Sequence, residues 1–112
     1  MNSASSSTKN EFVFVVKSDQ LELNTPATFE LDDRFIVIVK TEEGVFCLDD
    51  VCTHDGGTLG DGEYIDHCLV CPRHGAKFDV RTGDAVAMPA TEPTGSHEVK
   101  IDGDDVLVRL AS

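Results

Sequence analysis

Apolar residues along this chain fall in short runs, rich in β-branched and aromatic side chains, with turn signals between them and no sustained helical period. The pattern predicts strands at Phe12–Val16, Thr28–Leu31, Phe35–Val39, Val45–Leu48, Glu63–Ile65, His67–Val70, Lys77–Asp79, Glu98–Ile101 and Val106–Leu110. Glu42-Glu43-Gly44 reads as the link of one hairpin, Asp102-Gly103 opens the turn of the last, and Thr82-Gly83-Asp84 marks a further turn. Phe35 to Val39 is apolar at every position, which suits a central strand covered on both faces. No segment is long and periodic enough to predict a helix. The expected fold class is all-β, with a small antiparallel barrel or sandwich as its base.

From Val51 onward the alternation breaks into glycine-rich sequence, and two short motifs stand in the break. Cys52-Thr53-His54 is followed, after sixteen residues, by Cys71-Pro72-Arg73-His74. Together they offer two thiolates and two imidazoles, the donor set of a Rieske-type [2Fe–2S] cluster, in which two cysteines hold one iron and two histidines the other. Such a cluster needs one ligand to each iron from each tip, and each motif supplies one Cys and one His. The same four donors could hold zinc, but zinc sites usually group Cys with Cys and His with His. Gly56, Gly57 and Gly75 stand next to these ligands and are expected to let the backbone approach a cluster closely. For Gly60 and Gly62, ordinary turn glycine is an equal reading. His67 and His97 lie outside the pairs and read as surface or packed histidines, and Asp55 is left unassigned.

The run CTHDGGTLGDGEYIDHCLVCPRHGAKFDVRTGDAVAMPA, from Cys52 to Ala90, resembles the Rieske ferredoxins of bacterial aromatic-ring and alkane-type oxygenase systems. The likeness is close from Val51 to Ala90 and looser from Phe12 to Leu110. It implies the Rieske fold: an antiparallel β base carrying an inserted cluster-binding subdomain at about 51–80, within one domain spanning 11–110. It implies one [2Fe–2S] cluster per chain, held by Cys52, His54, Cys71 and His74, with both histidines near the surface where electrons pass. A proline-containing loop closes over the cluster in this family, and Pro89 matches its position. The implied role is one-electron carriage from a flavin-dependent reductase to a terminal oxygenase. A small subunit of an assimilatory nitrite reductase and an iron–sulfur-assembly-associated Rieske protein share the same base, and a zinc-stabilised interaction module is the alternative of another class.

Composition narrows the setting. At 112 residues the chain fits one domain that buries roughly two-thirds of its unfolded surface. The Ser-rich stretch 1–10 lacks an apolar core and is expected to be a disordered tail, not a secretory signal. With 9 basic against 21 acidic residues the formal charge is −12, which argues against nucleic acid or an anionic membrane as partners. No run of about eighteen apolar residues is present. Cys47 and Cys68 lie in strand-like contexts and read as unpaired hydrophobes of a cytoplasmic chain. Arg73, Lys77 and Arg81 are expected to make the second tip less acidic than the rest. A catalytic oxygenase subunit would need a second iron on two His and a carboxylate, and only His67 and His97 remain for it, so the chain reads as a carrier and not an enzyme.

High-potential Rieske proteins carry a disulfide between their tips and two hydroxyls near the cluster. Here those positions are Gly57 and Arg73 for the bridge, and Ala76 and Phe78 for the hydroxyls. Their loss places the expected potential toward the low end of the range, about −150 mV.

Overall fold

The computed structural model describes residues 11–51, 57–72, 75–88 and 92–111. Ten strands run through them: β1 (Val13–Lys17), β2 (Ala27–Leu31), β3 (Arg34–Thr41), β4 (Gly44–Asp49), β5 (Glu63–Ile65), β6 (Cys68–Val70), β7 (Lys77–Asp79), β8 (Ala85–Ala87), β9 (Ser96–Asp102) and β10 (Asp105–Arg109). They form two antiparallel sheets. One has six strands in the order β1-β10-β9-β4-β3-β2 and approaches a closed barrel; the other has four, β5-β6-β7-β8. Among the described residues there is no α-helix, only a short 3₁₀ turn at Ser18–Gln20. The all-β expectation holds.

Period-two alternation on β3 and β4 explains how the sheets share a wall. Ile36, Ile38 and Cys47 face one core with Val16, Val106, Val108 and Leu110. Val37, Val39 and Leu48 face the other with Leu59, Leu69, Phe78 and Val80. Successive residues of a strand point to opposite sides, so the unbroken apolar run of β3 serves two cores at once. Ile36 to Val39 are each no more than 1% exposed. Burying each such side chain contributes roughly 1.5–3 kcal/mol.

Two-residue turns set the registers. Asp32 and Asp33 join Leu31 to its partner Arg34, and Asp66 and His67 join Ile65 to Cys68. All four turn residues have positive φ, between 50° and 71°, as the turn matching right-handed strand twist requires. His67 therefore belongs to the turn, and β6 begins one residue later than its apolar run suggested. At Glu42-Glu43 the Thr41 hydroxyl accepts the Glu43 N–H at 3.1 Å and donates to the Gly44 carbonyl at 3.0 Å.

β8 is a strand that the apolar pattern did not predict, and the start of β9 differs from expectation. β8 pairs with β7 through Lys77↔Ala87 and Phe78↔Ala85, around an irregularity. Its Ala-Val-Ala sequence has little strand preference of its own, and the pairing comes from Phe78, whose burial draws Ala85 inward. β9 starts at Ser96, ahead of Glu98, because His97 and Ser96 pair with Cys47 and Leu48.

Candidate metal centre

The second tip is the connection between β6 and β7. The Cys71 N–H donates to the Ala76 carbonyl at 2.7 Å, and the Gly75 N–H donates back to the Cys71 carbonyl at 3.0 Å. These bonds pin both ends of the turn, and Gly75 has φ +79°, a conformation that favours glycine. Cys71 is 1% exposed and belongs to the same buried cluster as Ala76 and Phe78. Its side chain is thus packed in an apolar core.

The first tip rises from the end of β4. The Asp50 N–H donates to the Phe35 carbonyl at 3.0 Å, extending the β3–β4 ladder by one step. The Asp50 side chain is buried and turns toward the far end of the loop. Its Oδ1 accepts the Leu59 N–H at 2.7 Å and the Gly60 N–H at 2.6 Å, and its Oδ2 accepts the Thr28 hydroxyl at 3.0 Å. Thr94 donates its hydroxyl to the Val51 carbonyl at 3.0 Å and its N–H to the Gly83 carbonyl at 2.9 Å. The chain after β8 is thereby tied to the stem of the first tip.

Comparison with known proteins gives this geometry its name. The family model described as "Rieske [2Fe-2S] domain" matches residues 11–108. The chain belongs to the Rieske [2Fe–2S] family. The ferredoxin component of biphenyl 2,3-dioxygenase of Rhodococcus jostii (strain RHA1) is 40% identical over 82 residues, covering 73% of this chain and 77% of that protein. The solved ferredoxin of carbazole 1,9a-dioxygenase from Nocardioides aromaticivorans IC177 superposes with a TM-score of 0.86 at 30% identity, covering 92% of this chain and 100% of that one. A chain in the complex of reduced oxygenase and oxidized ferredoxin in carbazole 1,9a-dioxygenase shares the fold, with a TM-score of 0.83 at 23% identity over 90% of this chain and 95% of that one.

The residues present fit a Rieske cluster by their donor chemistry. Cys71 is a buried thiol at the base of a pinned turn and is the first residue of the Cys-x-x-His motif. Cys52, His54, His74, Gly56 and Pro89 lie outside the described residues, as do Asp55 and Arg73. Gly57 is partly buried at the end of the first tip. Among the described residues no group of three or more His, Cys, Asp and Glu could hold a metal ion.

The other two histidines are accounted for by carboxylates. His67 Nε2 lies 3.0 Å from Glu43 Oε1. His97 has a fully buried side chain, with Nε2 2.7 Å from Asp49 Oδ1 and Nδ1 accepting the Ala111 N–H at 2.9 Å. The Ala111 bond leaves Nδ1 without a proton, so Nε2–H donates to Asp49. Arg34 donates to the same Asp49 oxygen at 2.9 Å and to the Ala111 carbonyl at 3.2 Å. Both histidines are structural.

Cys47 and Cys68 are unpaired thiols. Burial, helped by the nearby Asp49 carboxylate, pushes the Cys47 thiol up to about 12. Cys68 is raised as well, first by burial and then by Asp79. The basic trio is divided. Lys77 stands exposed at the tip end of β7, whereas Arg81, past the other end, forms an ion pair with Asp79 at 2.8 Å.

Sequence reasoning missed Asp50, and left Gly60 and Gly62 open between close backbone approach and ordinary turn glycine. A Cβ on Gly62 would stand 1.9 Å from the Val70 carbonyl oxygen, and one on Gly60 only 2.0 Å from the Thr28 hydroxyl. Neither position has room for a side chain. By contrast a Cβ on Gly75 meets nothing within 4 Å among the described residues, and it is the backbone angle that favours glycine there.

Proposed function

We propose that this chain is a soluble one-electron carrier, with Cys52 and Cys71 on one iron and His54 and His74 on the other of a single [2Fe–2S] cluster. The cluster supplies reversible one-electron storage. The observation that carries this reading is the pairing of a Rieske family match over 11–108 with two Cys/His motifs, one of which starts at the buried Cys71. The chain's own residues do the rest. The pinned turn at Cys71 and Ala76 holds the second tip, and the clamp at Asp50 holds the stem of the first. Leu59, Leu69 and Phe78 keep water from the protein side of the site. Gly56 and Gly57 allow close backbone approach, and Pro89 stiffens the covering loop. The cluster-binding portion, about 51–80, is carried on the base within one domain of 11–110.

Electrons pass from a flavin-dependent reductase to a terminal oxygenase, in the cytoplasm, and the chain catalyses no reaction alone. The names of its relatives, ferredoxin components of dioxygenase systems, support this assignment. Among the described residues no helix is long and apolar enough to cross a membrane. The cluster has a low potential, because Ala76 and Phe78 offer no hydroxyl to its sulfurs.

The test is direct. Purified protein should hold two irons and two acid-labile sulfides per chain, with visible absorption that bleaches on reduction and the electron-spin signature of a histidine-ligated cluster. Stoichiometric zinc without visible absorption would instead identify a zinc-stabilised interaction module. Electron transfer from the reductase should slow with salt, since the Debye length shrinks to about 3 Å at 1 M. Charge reversal at Lys77 should matter more than reversal at Glu30.

A further inference from the structure

Asp50 is a buried carboxylate, 3% exposed, and its hydrogen-bond partners among the described residues include no cation. A carboxylate in that position is costly unless its oxygens are fully used. Here they are: two backbone N–H groups meet one oxygen and a hydroxyl meets the other. Every partner is a donor, which suits an ionised acceptor. Two of those donors, Leu59 and Gly60, sit nine and ten residues further along the chain. Between them and Asp50 lies the whole first tip.

We propose that Asp50 is a positioning residue for the cluster: it closes the first tip at its base and so fixes how Cys52 and His54 are presented. The proposal rests on the cluster reading given above. Three observations carry it. Asp50 is itself fixed, because its N–H continues the β3–β4 ladder to Phe35. The loop end it grips is fixed too, because Leu59 is wholly buried in the core beside Leu69 and Phe78. Gly60 has no space for a Cβ against Thr28, so the close approach of loop, hydroxyl and carboxylate excludes other residues at 60. The clamp therefore joins a rigid strand end to a rigid core residue, and the sequence between them holds Cys52 and His54.

Position gives the carboxylate a second effect. Only Val51 separates Asp50 from Cys52, so their Cα atoms are at most about 7 Å apart. A fixed negative charge that near the cluster opposes addition of an electron. Asp50 thus orders the tip through its oxygens and holds the potential down through its charge. These two actions can be separated, because asparagine keeps an acceptor oxygen for both amides and loses the charge.

The experiment compares the holoprotein with Asp50→Ala, Asp50→Asn and Thr28→Val. Four readings are taken: amide exchange at Leu59 and Gly60, the rate of iron release to a chelator, the reduction potential, and the electron-spin spectrum. Asp50→Ala should speed exchange and release by about tenfold or more, the equivalent of one charged hydrogen bond. Asp50→Asn should keep both rates near wild type and still shift the potential upward. An Ala variant with wild-type exchange and release overturns the proposal, and so does an Asn variant as leaky as Ala. Should Asp50→Ala fail to fold, Thr28→Val removes one donor of three. Faster iron release with an altered electron-spin spectrum then supports the clamp, and an unchanged rate and spectrum overturn it. A wild type without iron and sulfide removes the underlying reading. A wild type with both, and an indifferent Asp50→Ala, removes this proposal alone.

Discussion

The six-stranded sheet is built on long strands, eight residues in β3 and seven in β9, whereas every strand of the four-stranded sheet has three. A three-residue strand makes too few ladder bonds to hold a sheet by itself. The smaller sheet relies on what it packs against: Leu69 and Phe78 against Val37, Val39 and Leu48 of the larger one, with Cys71 in the same cluster. The base's other core, of Ile36, Ile38, Val106 and Val108, contains no residue of either tip among the described residues. One half of the molecule is a support and the other is held in shape from both sides, by the support and by what the tips bind.

The most severe way to probe that difference is to remove a ligand. Cys71→Ala should abolish iron binding, and amide exchange should then rise across 57–88 while 27–49 and 97–109 stay protected, because metal binding and folding are linked only where the metal ties the chain. Uniform loss of protection through both sheets would show that the base depends on the site after all. Next in size, Phe78→Ala should cost about 3–5 kcal/mol and speed iron release, whereas Ile38→Val should cost about 0.5–1.5 kcal/mol and leave the potential untouched. Denaturant unfolding and voltammetry of the two variants separate the halves.

Finer changes sharpen the comparison within the smaller sheet. Ala76→Ser and Phe78→Tyr each introduce a hydroxyl beside the buried cluster that contains Cys71. Each should raise the potential, with about 59 mV corresponding to roughly 1.4 kcal/mol for one electron. A wild-type potential above about +100 mV would show that something other than missing hydroxyls governs this cluster. Thiol labelling at pH 8 should reach Cys68 well before Cys47, since the Cys47 thiol is pushed up to about 12 and is 2% exposed.

The smallest effect belongs to Asp79. Hydrogen bonding from Arg81 holds its carboxyl below the ordinary value of 3.8. A lowered folded value means stability that is present above that ordinary value and lost as pH falls through the folded one. Asp79→Asn should therefore cost about 0.5 kcal/mol or less at neutral pH, the pair being exposed and screened. The difference from wild type should vanish once the pH has fallen below that lowered folded value. Thermal melts of both proteins across that range would decide it.

How much of this was legible in the sequence follows from the same contrast. The base could be read because Phe35 to Val39 and Val106 to Leu110 announce strands by composition alone. β8 could not, since Ala85-Val86-Ala87 becomes a strand only once Phe78 is buried beside it. The ligand motifs were visible because the chemistry of two irons dictates residue types at short spacing. The clamp was not, because it joins residues 28, 50, 59 and 60 through the fold. One signal did exist. Phe46 and Leu48 set a face of β4, and counting two further along that face lands on Asp50: a carboxylate at an inward position that demands partners.

Adjacent residues of β3 and β4 answer to different cores, and that has a consequence for how such a chain can change length over generations. Deleting one residue from either strand would exchange the two interiors, placing every side chain downstream in the wrong one. The two-residue turns at 32–33 and 42–43 have no slack to absorb the slip. Length variation is thus steered to segments outside the shared wall, namely 51–58, 72–75 and 88–95. Those segments include the proposed ligands Cys52, His54 and His74 and the proposed covering loop at Pro89, so a lineage gaining or losing residues would alter the surroundings of the proposed cluster while the interior stays fixed.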